Sequence, residues 1–162
     1  MERNRRTDAP AKQRQGGFTL LEVIVAVSIL TIGLLAVATM QGSAIIANGS
    51  AMDVTDATTL ASDQMEKLAA LPYGDAALQD TDGDGASGLD NIGFDGDPLT
   101  AADADYGITQ QTARGKTYAV YWNVAVDDAA VGTKTVHVIV SWRDHGKEKH
   151  LTLQYIRPRL QG

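Results

Sequence analysis

The chain has 162 residues, no cysteine and a net charge of −6. That length supports one modest domain plus an anchor rather than two independent cores, and the missing thiols exclude disulfides and thiolate sites. Residues 1–17 carry Arg3, Arg5, Arg6, Lys12 and Arg14 against Glu2 and Asp8, a net of +3, which leaves −9 on residues 18–162. A basic segment ahead of an apolar run stays cytoplasmic while the acidic remainder crosses. An acidic domain lacks the clustered Lys and Arg that phosphate attraction needs, so no nucleic-acid partner is expected.

From Phe18 to Met40 the only ionisable side chain is Glu22. As a helix this run would span roughly 35 Å, enough for a bilayer core. A carboxylate near one end of such a helix is costly in lipid and implies a function and a partner. An ordinary secretory signal is cleaved after its apolar region, whereas here the small residues Gly16 and Gly17 stand before it.

The stretch Gly16-Gly17-Phe18-Thr19-Leu20-Leu21-Glu22-Val23 resembles the prepilin signal of the type IV pilin superfamily. The wider pattern, through Ala61-Ser62-Asp63-Gln64-Met65-Glu66, is most similar to the PilV-type minor pilins. The resemblance implies that prepilin peptidase, a membrane aspartyl enzyme, cuts between Gly17 and Phe18, and that Phe18 is then N-methylated. Residues 1–17 are then a leader, and the apolar helix stays in the mature protein; a signal anchor that is never cut is the plainer alternative. The resemblance also gives Glu22 a role in assembly, pairing with the free amine of a neighbouring subunit. A desolvated pair of that kind fixes register more than it adds stability. The implied partners are other pilin subunits through the N-terminal helix, the inner membrane and the pilus assembly platform.

Beyond Met40, residues 41–52 are uncharged, and the pattern then becomes amphipathic. Val54, Ala57, Ala61, Met65 and Leu68 recur at three- and four-residue steps, with Asp53, Asp56, Asp63, Glu66 and Lys67 elsewhere on the wheel. Asp63 and Lys67 form an i,i+4 pair of favourable order, and Pro72 stops the pattern. One helix from about Phe18 to Leu71 is expected: residues 18–49 for membrane and assembly, 50–71 laid on a sheet. Gly33 and Gly42 each weaken a helix by about 1 kcal/mol relative to Ala. They mark either a place where the helix loosens or a site of close helix–helix packing. Many pilins carry a proline near the position of Thr39 and a C-terminal disulfide; this chain has neither.

Residues 73–113 lose all periodicity and hold nine Asp, many Gly and no Lys or Arg. A long aperiodic loop is either functional or disordered. Within it, Asp80-Thr81-Asp82-Gly83-Asp84-Gly85-Ala86 resembles the start of an EF-hand or dockerin-type calcium loop. Oxygens at loop positions 1, 3 and 5 converge on a hard cation, Gly at 6 allows the turn, and a carbonyl at 7 joins them. The expected calcium ligands are therefore Asp80, Asp82, Asp84 and Ala86, with Asp90 and Asn91 near position 12, where a bidentate acid is missing. The alternative is that Asp and Gly simply favour turns.

Three alternating runs follow within residues 117–156. Tyr118, Val120, Trp122, Val124 and Val126 share one face, as do Val136, Val138, Val140 and Trp142, and then Leu151, Leu153 and Tyr155. The short connections suit antiparallel neighbours, and the amphipathic half of the helix is the available cover. His137, His145 and His150 read as solvated or edge residues, and Trp122 and Trp142 as packing. The expected fold is α+β, a long N-terminal helix against a small antiparallel C-terminal sheet, with residues 50–162 as a head outside the cytoplasm. The expected function is that of a minor type IV pilin and not of an enzyme, first in the inner membrane and then in the pilus at the cell surface. The alternatives are a type II secretion pseudopilin and a membrane-anchored, calcium-dependent adhesive module. Calcium is the one cofactor considered.

Overall fold

The computed structural model describes residues 17–97, 99–100 and 103–159; residues 1–16 of the expected leader lie outside them. One α-helix, α1, runs from Leu20 to Ala70, close to the predicted bounds. The chain divides into two compact units, Met1–Ile45 and Ile46–Gly162.

In the first unit, Gly17–Thr19 precede the helix and α1 is lined by exposed aliphatic side chains such as Leu20, Ile29 and Leu35. It is long and apolar enough to cross a membrane. Its few hydroxyls bond within the helix, Ser28 Oγ donating to Ile24 O at 2.8 Å and Thr31 Oγ1 to Val27 O at 2.7 Å. That removes the cost of carrying them into an apolar medium. The helix passes unbroken through Gly33 and Gly42, where an added Cβ would meet nothing within 4 Å. No contact among the described residues requires glycine at either place.

The second unit joins the last turns of α1 to an antiparallel sheet of order β1-β2-β3-β4: Tyr106–Gln111, Thr117–Val126, Thr133–Asp144 and Lys147–Pro158. The predicted faces form the core. Tyr118, Val120, Trp122 and Val124 pack with Val136, Val138, Val140 and Trp142 against Ala57, Ala61 and Leu68, flanked by Leu151, Leu153 and Tyr155. Ala57 and Ala61 are wholly buried. Their small side chains let the helix approach a sheet that carries the bulky Tyr118–Trp142 pair, with ring centroids 6.0 Å apart.

Four expectations are corrected. Tyr106–Gln111, inside the stretch read as loop, is a strand paired with β2 from Tyr106↔Trp122 to Gln111↔Thr117. Gly, Thr and Gln hide its alternation. Val54 and Val126 are exposed, at 41% and 45%, because Val54 is rotated off the buried helix face of Asp53, Ala57 and Ala61 and Val126 is the last residue of β2. Met65 lies at the margin of the core, while Gln64 is buried. Asp53 is buried as well, because Lys116 and Arg114 from the β1–β2 turn neutralise it.

The other described residues between 73 and 105 wrap the sheet. Asp75 caps the 3-10 turn Ala76–Leu78, which buries Leu78 in the core and takes the Trp122 Nε1 hydrogen bond at Ala77 O, 2.9 Å. Farther on, Asn123 projects from the opposite face of β2 to Leu89 O and Asn91 O at 3.1 and 2.9 Å. The sheet is thus covered by the helix on one face and by part of the acidic segment on the other.

Candidate functional site

Two places carry the sequence signals. At the first, Thr19 sits where the chain enters α1. Its Oγ1 and carbonyl both accept from Glu22 N, at 3.3 and 3.1 Å. Thr19-x-x-Glu22 has the spacing of a capping box, a signal in the sequence beyond the prepilin reading. Glu22 lies in the first helical turn, where the partial positive charge of the helix end favours a carboxylate. Gly17 and Phe18 stand just ahead of the helix, with Phe18 83% exposed, so the bond between them is on an accessible, non-helical segment.

At the second, Gly83 and Gly85 have φ of 77° and 59°, which glycine adopts without strain. They reverse the chain so that Asp80 and Asp82 approach Asp105, with carboxylate oxygens within 4.8 Å of one another. Asp105 immediately precedes β1, and nothing local in the sequence marks it. It is buried, at 3% exposure, and accepts from Thr81 N at 2.7 Å, Thr81 Oγ1 at 2.8 Å and Val124 N at 2.8 Å. Asp80 Oδ1 accepts from Gly83 N at 2.8 Å. Burial raises the Asp80 pKa, with help from the Asp105 and Asp82 charges.

The other expected ligands go elsewhere. Asp84 Oδ2 accepts from Asn91 Nδ2 at 2.8 Å. Its pKa is pushed up to about 6, first by burial and then by Asp82. Ala86 lies in the 3-10 turn Gly85–Ser87. Asp90 Oδ1 turns to His137 Nδ1 at 3.1 Å on the second face of the sheet. Asn91 thus braces Asp84 with its amide and Asn123 with its carbonyl. Three carboxylates suit a hard cation in ligand type, but the trio is Asp80, Asp82 and Asp105 rather than the linear set of an EF-hand. Among the histidines, His137 opposes the core face as expected, and His145 occupies a turn with φ 49°.

Residues 12–38 match the prokaryotic N-terminal methylation motif. No match was found to a curated protein or to a solved structure. The matched segment contains Gly17, Phe18, Glu22 and the opening turns of α1. The chain therefore carries a prokaryotic N-terminal methylation motif, consistent with the type IV pilin superfamily.

Proposed function

We propose that this chain is a minor type IV pilin of the PilV kind, a structural subunit and not an enzyme. It is made with a leader ending at Gly17, cleaved by prepilin peptidase, methylated at Phe18 and held in the inner membrane by the first half of α1. Assembly then proceeds through that helix, with Glu22 setting register against a neighbouring subunit and the head facing away from the cytoplasm. The observation that carries this reading is one motif covering both the Gly17–Phe18 junction and the apolar helix that follows. Mass spectrometry of the N-terminus tests it, on sheared surface filaments and on the remaining envelope. Methylated Phe18 in the sheared fraction is expected. Methylated Phe18 confined to the envelope would favour a type II secretion pseudopilin, and a mature protein still starting at Met1 would leave a plain signal anchor.

For the head, we propose that Asp80, Asp82 and Asp105 hold calcium. Their convergence supports it: like charges this close repel unless a cation or protons screen them. Protease sensitivity of residues 75–105 is expected to rise on chelation and fall again with added calcium. Sensitivity that ignores both treatments would remove calcium, and with it a calcium-dependent adhesive role.

A further inference from the structure

The sheet of the second unit has two outer strands, and among the described residues no strand pairs with the free side of either. Edges of this kind recruit further strands unless charge, proline or a cover blunts them. β4 keeps such residues to its ends, with Lys147, Glu148 and Lys149 at one and Arg157 and Pro158 at the other. Between them, His150–Ile156 holds no Asp, Glu, Lys, Arg, Pro or Gly and is rich in strand formers. Every residue of β4 is exposed or half-buried, and Ile156 is 51% exposed. β1 is likewise free of charge and leaves Ile108 38% exposed. The hydrogen bonds fix which backbone groups point outward. Arg159 N donates to Gly132 O at 2.8 Å, one step beyond the pair Thr133↔Pro158. Bonded and unbonded pairs alternate in an antiparallel ladder. The odd residues of β4 therefore bond to β3, and the even ones from Glu148 to Ile156 turn N–H and C=O outward. Thr112 N donates to Lys116 O at 2.9 Å, one step beyond Gln111↔Thr117. By the same count Gly107, Thr109 and Gln111 face outward from β1.

We propose that β4 of one head pairs with β1 of a second copy of this chain, in the one register that sets Thr152 against Thr109. The contact goes beyond the pilin reading and needs neither cleavage nor calcium. In a sheet of four antiparallel strands the two edges run in opposite directions. Copies in like orientation therefore meet antiparallel, the more stable kind of pairing. Outward-facing residues must meet one another, which allows only every second register. A shift of two residues one way sets Lys149 against Gln110, and the other way sets Arg157 against Tyr106. The Thr152–Thr109 register alone keeps all six residues of β1 within the uncharged stretch, opposite His150–Tyr155. It aligns Leu153 with Ile108 and Tyr155 with Tyr106 on the core face, and Thr152 with Thr109 on the other. Cross-strand pairs of these kinds each stabilise a sheet. A second β4 fits less well, because centring the uncharged stretch on Leu153 sets Lys149 against Arg157 at both ends. Asp144 holds Lys149, but Arg157 is bonded to the uncharged carbonyls of Leu68 and Leu71. Pairing β4 with β1 is a heterologous contact, which leaves a free edge on each outer copy.

The chain has no cysteine, so introduced pairs report the register. Full chains in detergent, one carrying Thr109→Cys and the other Thr152→Cys, are mixed and treated with a mild oxidant. Directly opposed bonded residues lie about 5.5 Å apart between Cα atoms, within disulfide reach. Residues displaced by two lie about 7–8 Å apart, outside it. T109C with T152C should therefore form mixed dimer at least about tenfold faster than T109C with H150C or with Q154C. Adding Gln154→Pro to the T152C chain removes only an outward N–H and should abolish the product. Adding Gln154→Lys, which charges the same edge without altering the backbone, should reduce it severalfold. Equal rates at all three positions would mean random collision. T152C that dimerises with itself as fast as with T109C would assign the edge to a second β4. A product that survives both substitutions at Gln154 would place the contact elsewhere. Each of these results overturns the proposal, as does the lack of any product from chains whose Trp fluorescence shows them folded.

Discussion

Asp105 joins three backbone segments through one carboxylate, since its donors come from Thr81 and from Val124 near the end of β2. Asp105→Ala leaves those donors without an acceptor where little water enters, which should cost about 3 kcal/mol. Asp105→Asn should recover much of that, because it keeps one acceptor oxygen and removes a charge that raises the Asp80 pKa. Urea unfolding of the full chain in detergent, followed by Trp fluorescence, checks both; an Ala variant within about 0.5 kcal/mol of wild type would show that the loop is held otherwise. Asp144 gives a pH dependence of known sign. Its pKa is lowered from an ordinary 3.8 to about 2, chiefly by the hydrogen bond from Lys149, with Ser50 and His145 adding to it. A pKa depressed on folding contributes stability that is complete above the unfolded value and is lost as pH falls through the folded one. Wild type should therefore lose stability between about pH 4 and pH 2, and Asp144→Asn should lose less over that window. Parallel pH profiles for the two proteins would mean that Asp144 is not linked to folding.

On the helix, burial follows the side chains that face the sheet rather than hydrophobicity alone. Ala57 and Ala61 have no exposed surface, so Ala61→Leu must push α1 away from Tyr118 and Trp142. A loss of about 2 kcal/mol is expected from overpacking, against a change within about 0.5 kcal/mol for Val54→Leu on the exposed side. Equal effects from the two would place the helix in a different rotation on the sheet. The same contrast shows what the sequence makes legible. Period-two runs identify β2, β3 and β4 and their inner faces, because valines and aromatics alternate in β2 and β3, and Leu151, Leu153 and Tyr155 in β4. The helix was visible from its length and from Pro72. β1 was not, because YGITQQ offers only Tyr106 and Ile108 as an apolar alternation and gains its order from pairing with β2. The buried Asp53 was hidden for a related reason: its partners lie about sixty residues away, in the β1–β2 turn. Asp80 and Asp82 were legible as ligands because their spacing is local, whereas Asp105 reaches them only through the strand that follows it.

At the scale of the molecule, the division near Ile45 separates two kinds of stability. Every member of the hydrophobic core cluster among the described residues lies between Ala57 and Tyr155, while the apolar side chains of the first unit stay exposed. That arrangement needs some other apolar medium for residues 18–45, whether lipid or neighbouring helices, because so large an exposed apolar surface is otherwise an aggregation hazard. The second unit has no such need. Its sheet is covered on one face by residues 57–68 and on the other by the Asn123-tied segment, and its helix end is capped from outside, since Arg157 donates to Leu68 O at 3.1 Å and also to Leu71 O. A fragment beginning at Ile46 should therefore remain soluble without detergent and unfold in a single transition. Its stability should lie within about 0.5 kcal/mol of that of the full chain in detergent, as expected for parts that share no core contacts. Hydrogen exchange should show the same slowly exchanging amides in β2 and β3 for both. A fragment that aggregates, or that loses protection in those strands, would mean that residues 18–45 contribute to folding the head as well as to anchoring it. Unchanged protection would assign the exposed apolar half of α1 to the membrane and to assembly alone.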